Sequence, residues 1–344
     1  EMPGLLLVFI LALMHKKAEW KILRIGTLIS LAGVAGLLLS ADKAVITLLI
    51  MIWSTGEHIL MPVRSTIAMH VAKAGRIGES LGVVTGAMNA GNVIGSATVA
   101  AIFFAVIGWF GIADKVVLYN IVWVLICLLL FVSFLCTLFC KVDVKDVKRP
   151  RLYYNRKYGK FYVLELFYGA RKQIFITFAP YVLILNYGMD TTTMALLVGV
   201  CALVNIFCAP LIGKLTDRIG YRNIMIFDTV ILFFVCITYG YANRMFTYSV
   251  AYAVVCVNFL LDAVISTTSM ATSMYVRDIS DSAEEVTATL TTGISINHLI
   301  SILAALAGGW VWQKFGVGVL FSFSAVMALA NSAFAMLIPR KQET

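Results

Sequence analysis

Charged side chains stand in the middle of three long apolar runs: Glu57 and His58 within 44–70, Arg171 and Lys172 within 160–186, and Asp262 within 247–274. Each is costly in lipid, so such residues mark a pathway or are held by partners. A carboxyl group in a cavity of low dielectric can bind and release a proton near neutral pH, which makes Glu57 and Asp262 candidate proton carriers. Lys172, with or without Arg171, can hold an anionic group or the deprotonated carboxylate. Asn258, Asp262, Ser266, Ser269 and Ser273 recur at steps of four, four, three and four and form one polar helical stripe. Glu165, Tyr168 and Lys172 share a face in the same way. The competing reading is that these charges pair with one another as buried bridges and bind nothing. Arg64 is expected to snorkel to the interface, Glu165 to act as a structural or gating partner, and His298 to be a hydrogen-bonded packing residue.

Other chemistries lack their residues. No Gly-x-Ser-x-Gly, His-Glu-x-x-His or phosphate-cradling glycine loop occurs, so neither an enzyme nor an ATP-driven pump is expected, and no cofactor or metal. The seven cysteines lie inside apolar runs without ligand spacing, as buried free thiols do. The net charge of +9 would suit nucleic acid only if it formed a patch on a soluble surface. Here the basic residues sit in short gaps between apolar runs, so nucleic acid is not an expected partner.

These residues must be positioned by membrane spans. The chain is 61% hydrophobic and 13% charged, about half the charge of a typical soluble domain. Apolar runs at 3–14, 22–40, 44–70, 80–109, 116–140, 160–186, 192–212, 223–241, 247–274, 286–312 and 317–338 predict an all-α polytopic membrane protein. Between the fifth and sixth runs, 141–160 holds Lys141, Lys145, Lys148, Arg149, Arg151, Arg156, Lys157 and Lys160. With that stretch cytoplasmic, the gaps holding Lys16, Lys17, Lys21 and Arg24, then Lys73 and Arg76, then Lys214, Arg218 and Arg222 fall on its side, as do Arg340 and Lys341. The opposite gaps hold Lys43, Lys115, Arg244 and Lys314, one each. That alternation follows the positive-inside rule. The acidic gap after 274 is the weak point.

The polar segment from Gly213 to Arg222 is expected to be a tight interfacial turn. Gly213 and Gly220 permit close approach and a positive φ. Asp217 can face a helix N-terminus, and Arg218 and Arg222 can bridge to acids or helix C-termini. Its pattern, Gly-x-Leu-x-Asp-Arg-x-Gly-x-Arg, resembles the signature loop of the major facilitator superfamily of transporters. There the facing helix would start near Gly78-Glu79-Ser80. The equivalent gap of the first half, from Leu13 to Lys21, lacks the glycines and the Asp-Arg pair, so gating is expected to be asymmetric. Gly82, Gly91 and Gly95, with Gly86 between, resemble the antiporter signature of family exporters. That signature continues with Pro and paired glycines, where this chain has Ser96-Ala97-Thr98-Val99-Ala100. A small-residue packing face is the alternative.

The resemblance implies two six-helix bundles with the first helix missing from this chain: residues 1–140, a cytoplasmic linker 141–160, and a second bundle 161–344. It places the runs holding Glu57, Lys172 and Asp262 as the fourth, seventh and tenth helices, around a central cavity. It implies a monomeric secondary transporter moving a small solute by alternating access, with protons as the coupling partner and a lean to export. The lipid bilayer surrounds it, and the expected location is the bacterial inner membrane with linker and C-terminus cytoplasmic. Uptake of sugars or organic anions, and a transport-inactive sensor or assembly partner, are the rival readings.

Overall fold

In lipid a backbone has no water to bond to, so each apolar run closes its hydrogen bonds internally as a helix. The computed structural model describes residues 1–39, 42–112, 114–139, 150 and 152–339. Its helices are α1 Met2–Leu5, α2 Leu7–Leu13, α3 Glu19–Leu37, α4 Lys43–His70, α5 Ile77–Phe110 and α6 Lys115–Phe139. There follow α7 Gly159–Tyr181, α8 Thr191–Ile219, α9 Tyr221–Met245, α10 Tyr248–Ser266, α11 Met270–Ile279, α12 Ala283–Phe315 and α13 Val317–Ala335. Taking α1 with α2, and α10 with α11, the helices follow the eleven expected runs. Among the described residues nine are long and apolar enough to cross a membrane, Tyr248–Ile279 counting as one. Among those that are not, α7 carries Lys160, Glu165, Arg171 and Lys172. The linker residues 141–149 and 151, and Arg340 and Lys341, lie outside the described residues.

Local chemistry sets the helix ends. Asp42 accepts hydrogen bonds from Ala44 N and Val45 N, both at 3.0 Å, to start α4. Asp190 does the same for α8 with Thr192 N and Thr193 N. Each such cap contributes about 1 kcal/mol. The Thr193 hydroxyl and these amides hold the Asp190 carboxyl below its usual value.

Without a hydrophobic drive between helices in lipid, small residues and close contact hold the bundle together. Before the linker α3 packs along α4 and α6. After it α7 packs against α12 and α13, and α9 against α10 and α13. These are called the first and second halves below. Phe175, Tyr239 and Phe321 interlock in the second half, with Phe321 ring centroids 5.3 Å from Phe175 and 4.8 Å from Tyr239. The most extensive contact between halves is α5 against α8.

Two helices depart from the expected runs. The stretch 247–274, read as one helix, is interrupted by a 3-10 turn at Thr267–Ser269. There Thr267 Oγ1 donates to Val264 O at 2.7 Å, and Thr268 Oγ1 lies 2.6 Å from Ile265 O and 2.5 Å from Asp228 Oδ2. Hydroxyls that bond back to the preceding turn weaken the helical ladder at that point. The end of α7 widens into a π-turn, Val182–Asn186, just after Pro180.

Candidate functional site

The halves meet closely at the end that carries the linker. The segment Gly213 to Ile219 is not a turn but the last part of α8. Only Gly220, with φ +85°, breaks the chain before α9. The Asp217 side chain crosses to the other half, where Oδ1 accepts from Gly78 N at 2.7 Å and Oδ2 from Glu79 N at 2.8 Å. It thereby caps α5, placing a carboxylate at the positive end of that helix. Beside it Glu79 is paired with Arg76 and lies 3.6 Å from Lys214. Gly78 and Gly213 face each other so closely that a Cβ on either would overlap the other's carbonyl oxygen. Arg222 Nη2 donates to Met336 O at 2.7 Å, just past the end of α13. Arg218 is exposed.

The α5–α8 contact continues through Gly82, where a Cβ would meet the Ala209 and Pro210 backbone, and Gly86, whose Cβ would lie 2.8 Å from Ile206 O. It stops there. A Cβ on Gly91 or Gly95 would have no heavy atom within 4 Å, so the packing face expected over all four glycines covers only the linker-side pair. A second bridge joins the halves where Thr287 Oγ1 of α12 lies 3.0 Å from both Glu19 Oε1 and Thr66 Oγ1. At the second half's own edge Glu285 accepts from Tyr153 and Tyr158, and Lys157 donates to Asp281 at 2.7 Å. That bond holds the Lys157 ammonium above the usual lysine value.

Two adjoining cavities lie between the halves, sharing Met61, Ser65, Ser269 and Ser273 in their walls. One, of about 230 Å³, is lined by Glu165, Tyr168, Lys172, Thr272, Asn297 and His298 among others. The other, of about 380 Å³, is lined by Arg64, Asn89, Asn205, Ser266 and Thr267. The larger alone falls within the roughly 300–1,000 Å³ of small-molecule sites.

The expected site residues do not form one cluster. Glu57 pairs with Arg64, Oε2 to Nη2 at 3.1 Å, and accepts from Ser30 Oγ at 3.2 Å. Arg64 therefore points back along α4 to a carboxylate and into the cavity, rather than out to the interface. His58 Nδ1 donates to Ser54 O at 2.7 Å. Its ring lies edge-on to His298 of the other half with centroids 4.8 Å apart, and His298 also contacts Glu1. Lys172 lines the smaller cavity. Glu165 on the same helix accepts from Asn297 Nδ2 at 3.1 Å and lies 3.4 Å from Thr272 Oγ1.

Arg171 and Asp262 sit apart from the cavities. Arg171 is 3% exposed, its Nη1 is 3.8 Å from Asp262 Oδ1, and its guanidinium lies over the Tyr168 ring. Asn258 faces α9, donating to Thr238 Oγ1 at 2.7 Å. The stripe thus splits: Asn258 and Asp262 turn into the second half, while Ser266, Ser269 and Ser273 line the cavity. Sequence reasoning missed Asp228, which comes near Arg171 from α9 to give a buried Asp228–Arg171–Asp262 group. The signal was present, an acid inside the run 223–241, but no polar periodicity surrounds it.

A profile described as Major Facilitator Superfamily matches residues 3–276 and, a second time, 161–344. No curated protein matches the chain. Among solved structures, the fucose:proton symporter FucP of E. coli is 11% identical with a TM-score of 0.76, covering 97% of this chain and 87% of its own. The human organic anion transporter TETRAN is also 11% identical, with a TM-score of 0.73 over 97% of this chain and 81% of its own. The proton:xylose symporter XylE is 12% identical, with a TM-score of 0.68 over 98% of this chain and 83% of its own. At such identities these likenesses speak for the fold.

Proposed function

The chain belongs to the major facilitator superfamily, and on that premise we propose that it is a proton-coupled secondary transporter of a small charged solute. The observation that carries this reading is the polar cavity between the halves, shut at the linker end where Asp217 caps α5. With the linker cytoplasmic, as its basic residues favour, this arrangement is an outward-facing state. Release of Asp217 from Gly78 and Glu79 lets the linker-side ends of α5 and α8 part and presents the same cavity to the other side.

Coupling follows from the ion pairs. Glu57 holds Arg64, so a proton on Glu57 frees the guanidinium for an anionic group of the solute. Asp262, against Arg171, is the second candidate carrier and acts within the second half. Lys172 holds the solute's anionic group or a deprotonated carboxylate. Proton symport is stated for FucP and XylE and enters here as analogy of fold alone. The lean to export rests on the partial resemblance of Gly82, Gly91 and Gly95 to the antiporter signature, from which the chain departs after Gly95.

The test is reconstitution in liposomes under an imposed pH gradient, with solute-dependent proton movement as the readout. Movement is expected in the parent and lost in Glu57→Gln or Asp262→Asn. Flux that runs equally well without a gradient, and in both variants, removes the coupling. No flux of any solute, with the midplane charges dispensable for folding, identifies a transport-inactive member instead.

A further inference from the structure

The acids inside the bundle are occupied. Glu57 is held by Arg64 and Ser30, Glu165 by Asn297, Glu1 by His298, and Asp228 and Asp262 flank Arg171. Among the described residues no carboxylate lies within 4 Å of the Lys172 amine. Two more polar atoms on the cavity wall have no partner and are buried: Arg64 Nε, a donor, and Asn205 Oδ1, an acceptor. Asn205 is 7% exposed, and its amide nitrogen is already committed to Ala263 O at 3.0 Å. Its oxygen is left without a donor, buried beside the larger cavity.

Building on the transporter reading above, we propose that the solute is a hydroxylated carboxylate, a sugar acid or smaller hydroxy acid. Its carboxylate sits between Lys172 and Arg64, one cation from each half, and a hydroxyl donates to Asn205 Oδ1. Each alternative leaves a group unanswered. A neutral sugar makes no use of the Lys172 ammonium on the cavity wall. A cationic solute meets Lys172 as repulsion. An unhydroxylated acid leaves Asn205 Oδ1 orphaned, a loss of about 1–3 kcal/mol. The free hydroxyls of Ser269 and Ser273 on the shared wall complete a polar lining that suits a polyol chain.

The experiment is thermal stabilisation of the purified full chain by D-gluconate, D-glucuronate and D-lactate, against D-glucose, D-glucosamine and hexanoate. At least one hydroxy acid is expected to stabilise and the three controls not to. Lys172→Gln is expected to weaken the effect about tenfold or more, the size of one charged hydrogen bond, with Lys172→Arg retaining part of it as proof that the variant site is folded. Asn205→Ala is expected to narrow the gap between gluconate and hexanoate. Glucose or glucosamine acting as well as gluconate, or an undiminished gluconate effect in Lys172→Gln, overturns the proposal. Silence of all three hydroxy acids also overturns it. The transporter reading then still stands or falls on the proton flux assay with other solutes.

Discussion

Asp217 and Gly78 are joined across the two halves by a hydrogen bond of 2.7 Å from the glycine amide to the carboxylate. The acid comes from the last turns of α8, where its own helix dipole opposes it, and is stabilised by the first turn of α5. The contact therefore favours whichever state brings these two ends together. Asp217→Asn removes the charge and one of the two acceptors. It is expected to weaken closure by about 1 kcal/mol, roughly a fivefold shift of the equilibrium. A cysteine at Ser65 in a background without other cysteines should then be labelled faster from the linker side. Unchanged labelling removes Asp217 from the switch.

Gly78 and Gly82 stand against backbone, whereas Gly91 and Gly95 stand against open space. Gly78→Val or Gly82→Val is expected to pry α5 from α8, abolishing closure with little loss of folded protein. Gly91→Ala and Gly95→Ala are expected to be neutral or mildly stabilising, since alanine is the better helix former by about 1 kcal/mol. Melting temperatures and linker-side labelling of the four variants separate the two classes.

Arg171 lies against Asp262 and near Asp228 in the interior of the second half. Arg171→Met leaves two buried acids without their cation and is expected to cost about 3–5 kcal/mol, seen as loss of monodisperse protein in detergent. The triple variant Arg171→Met, Asp228→Asn, Asp262→Asn removes the charges together and is expected to regain most of that loss. A triple variant as unstable as the single one would falsify an ion-pair role.

Thr287 touches Glu19 and Thr66 of the other half through one hydroxyl. Thr287→Val keeps the shape and withdraws the bond from a buried carboxylate. Closure is expected to weaken by about 1–3 kcal/mol, additively with Asp217→Asn only if the two contacts act independently. A double-mutant cycle on the labelling rates measures this.

The fold was legible in the sequence because it depends on local pattern. Apolar length gave the helices. The resemblance of the segment from Gly213 to Arg222 to the family loop implied a helix start near Gly78 facing Asp217. What was not legible depends on rotation about helix axes and on partners distant in sequence. Asn258 and Asp262 share a periodic stripe with Ser266, but the break at Thr267–Ser269 sends the two ends of the stripe to different surroundings. Arg64 read as an interfacial residue because its position along the helix was visible and its partner one side chain away was not weighed. Asp228 was overlooked because an isolated acid in an apolar run has no pattern, and only the fold brings Arg171 to it.

The interruption at Thr267–Ser269 also bears on how such a protein can move. On one side of it α10 packs with α8 and α9, deep in its own half. On the other, α11 packs with α9 and α12 of its own half and also touches α5 and α4 of the opposite one. A continuous helix would couple these two sets of contacts rigidly in any movement of one half against the other. Divided, it has the form of a jointed lever: its linker-side arm can shift against the far bundle while its other arm stays seated. The fulcrum is then a short threonine turn fastened to Asp228.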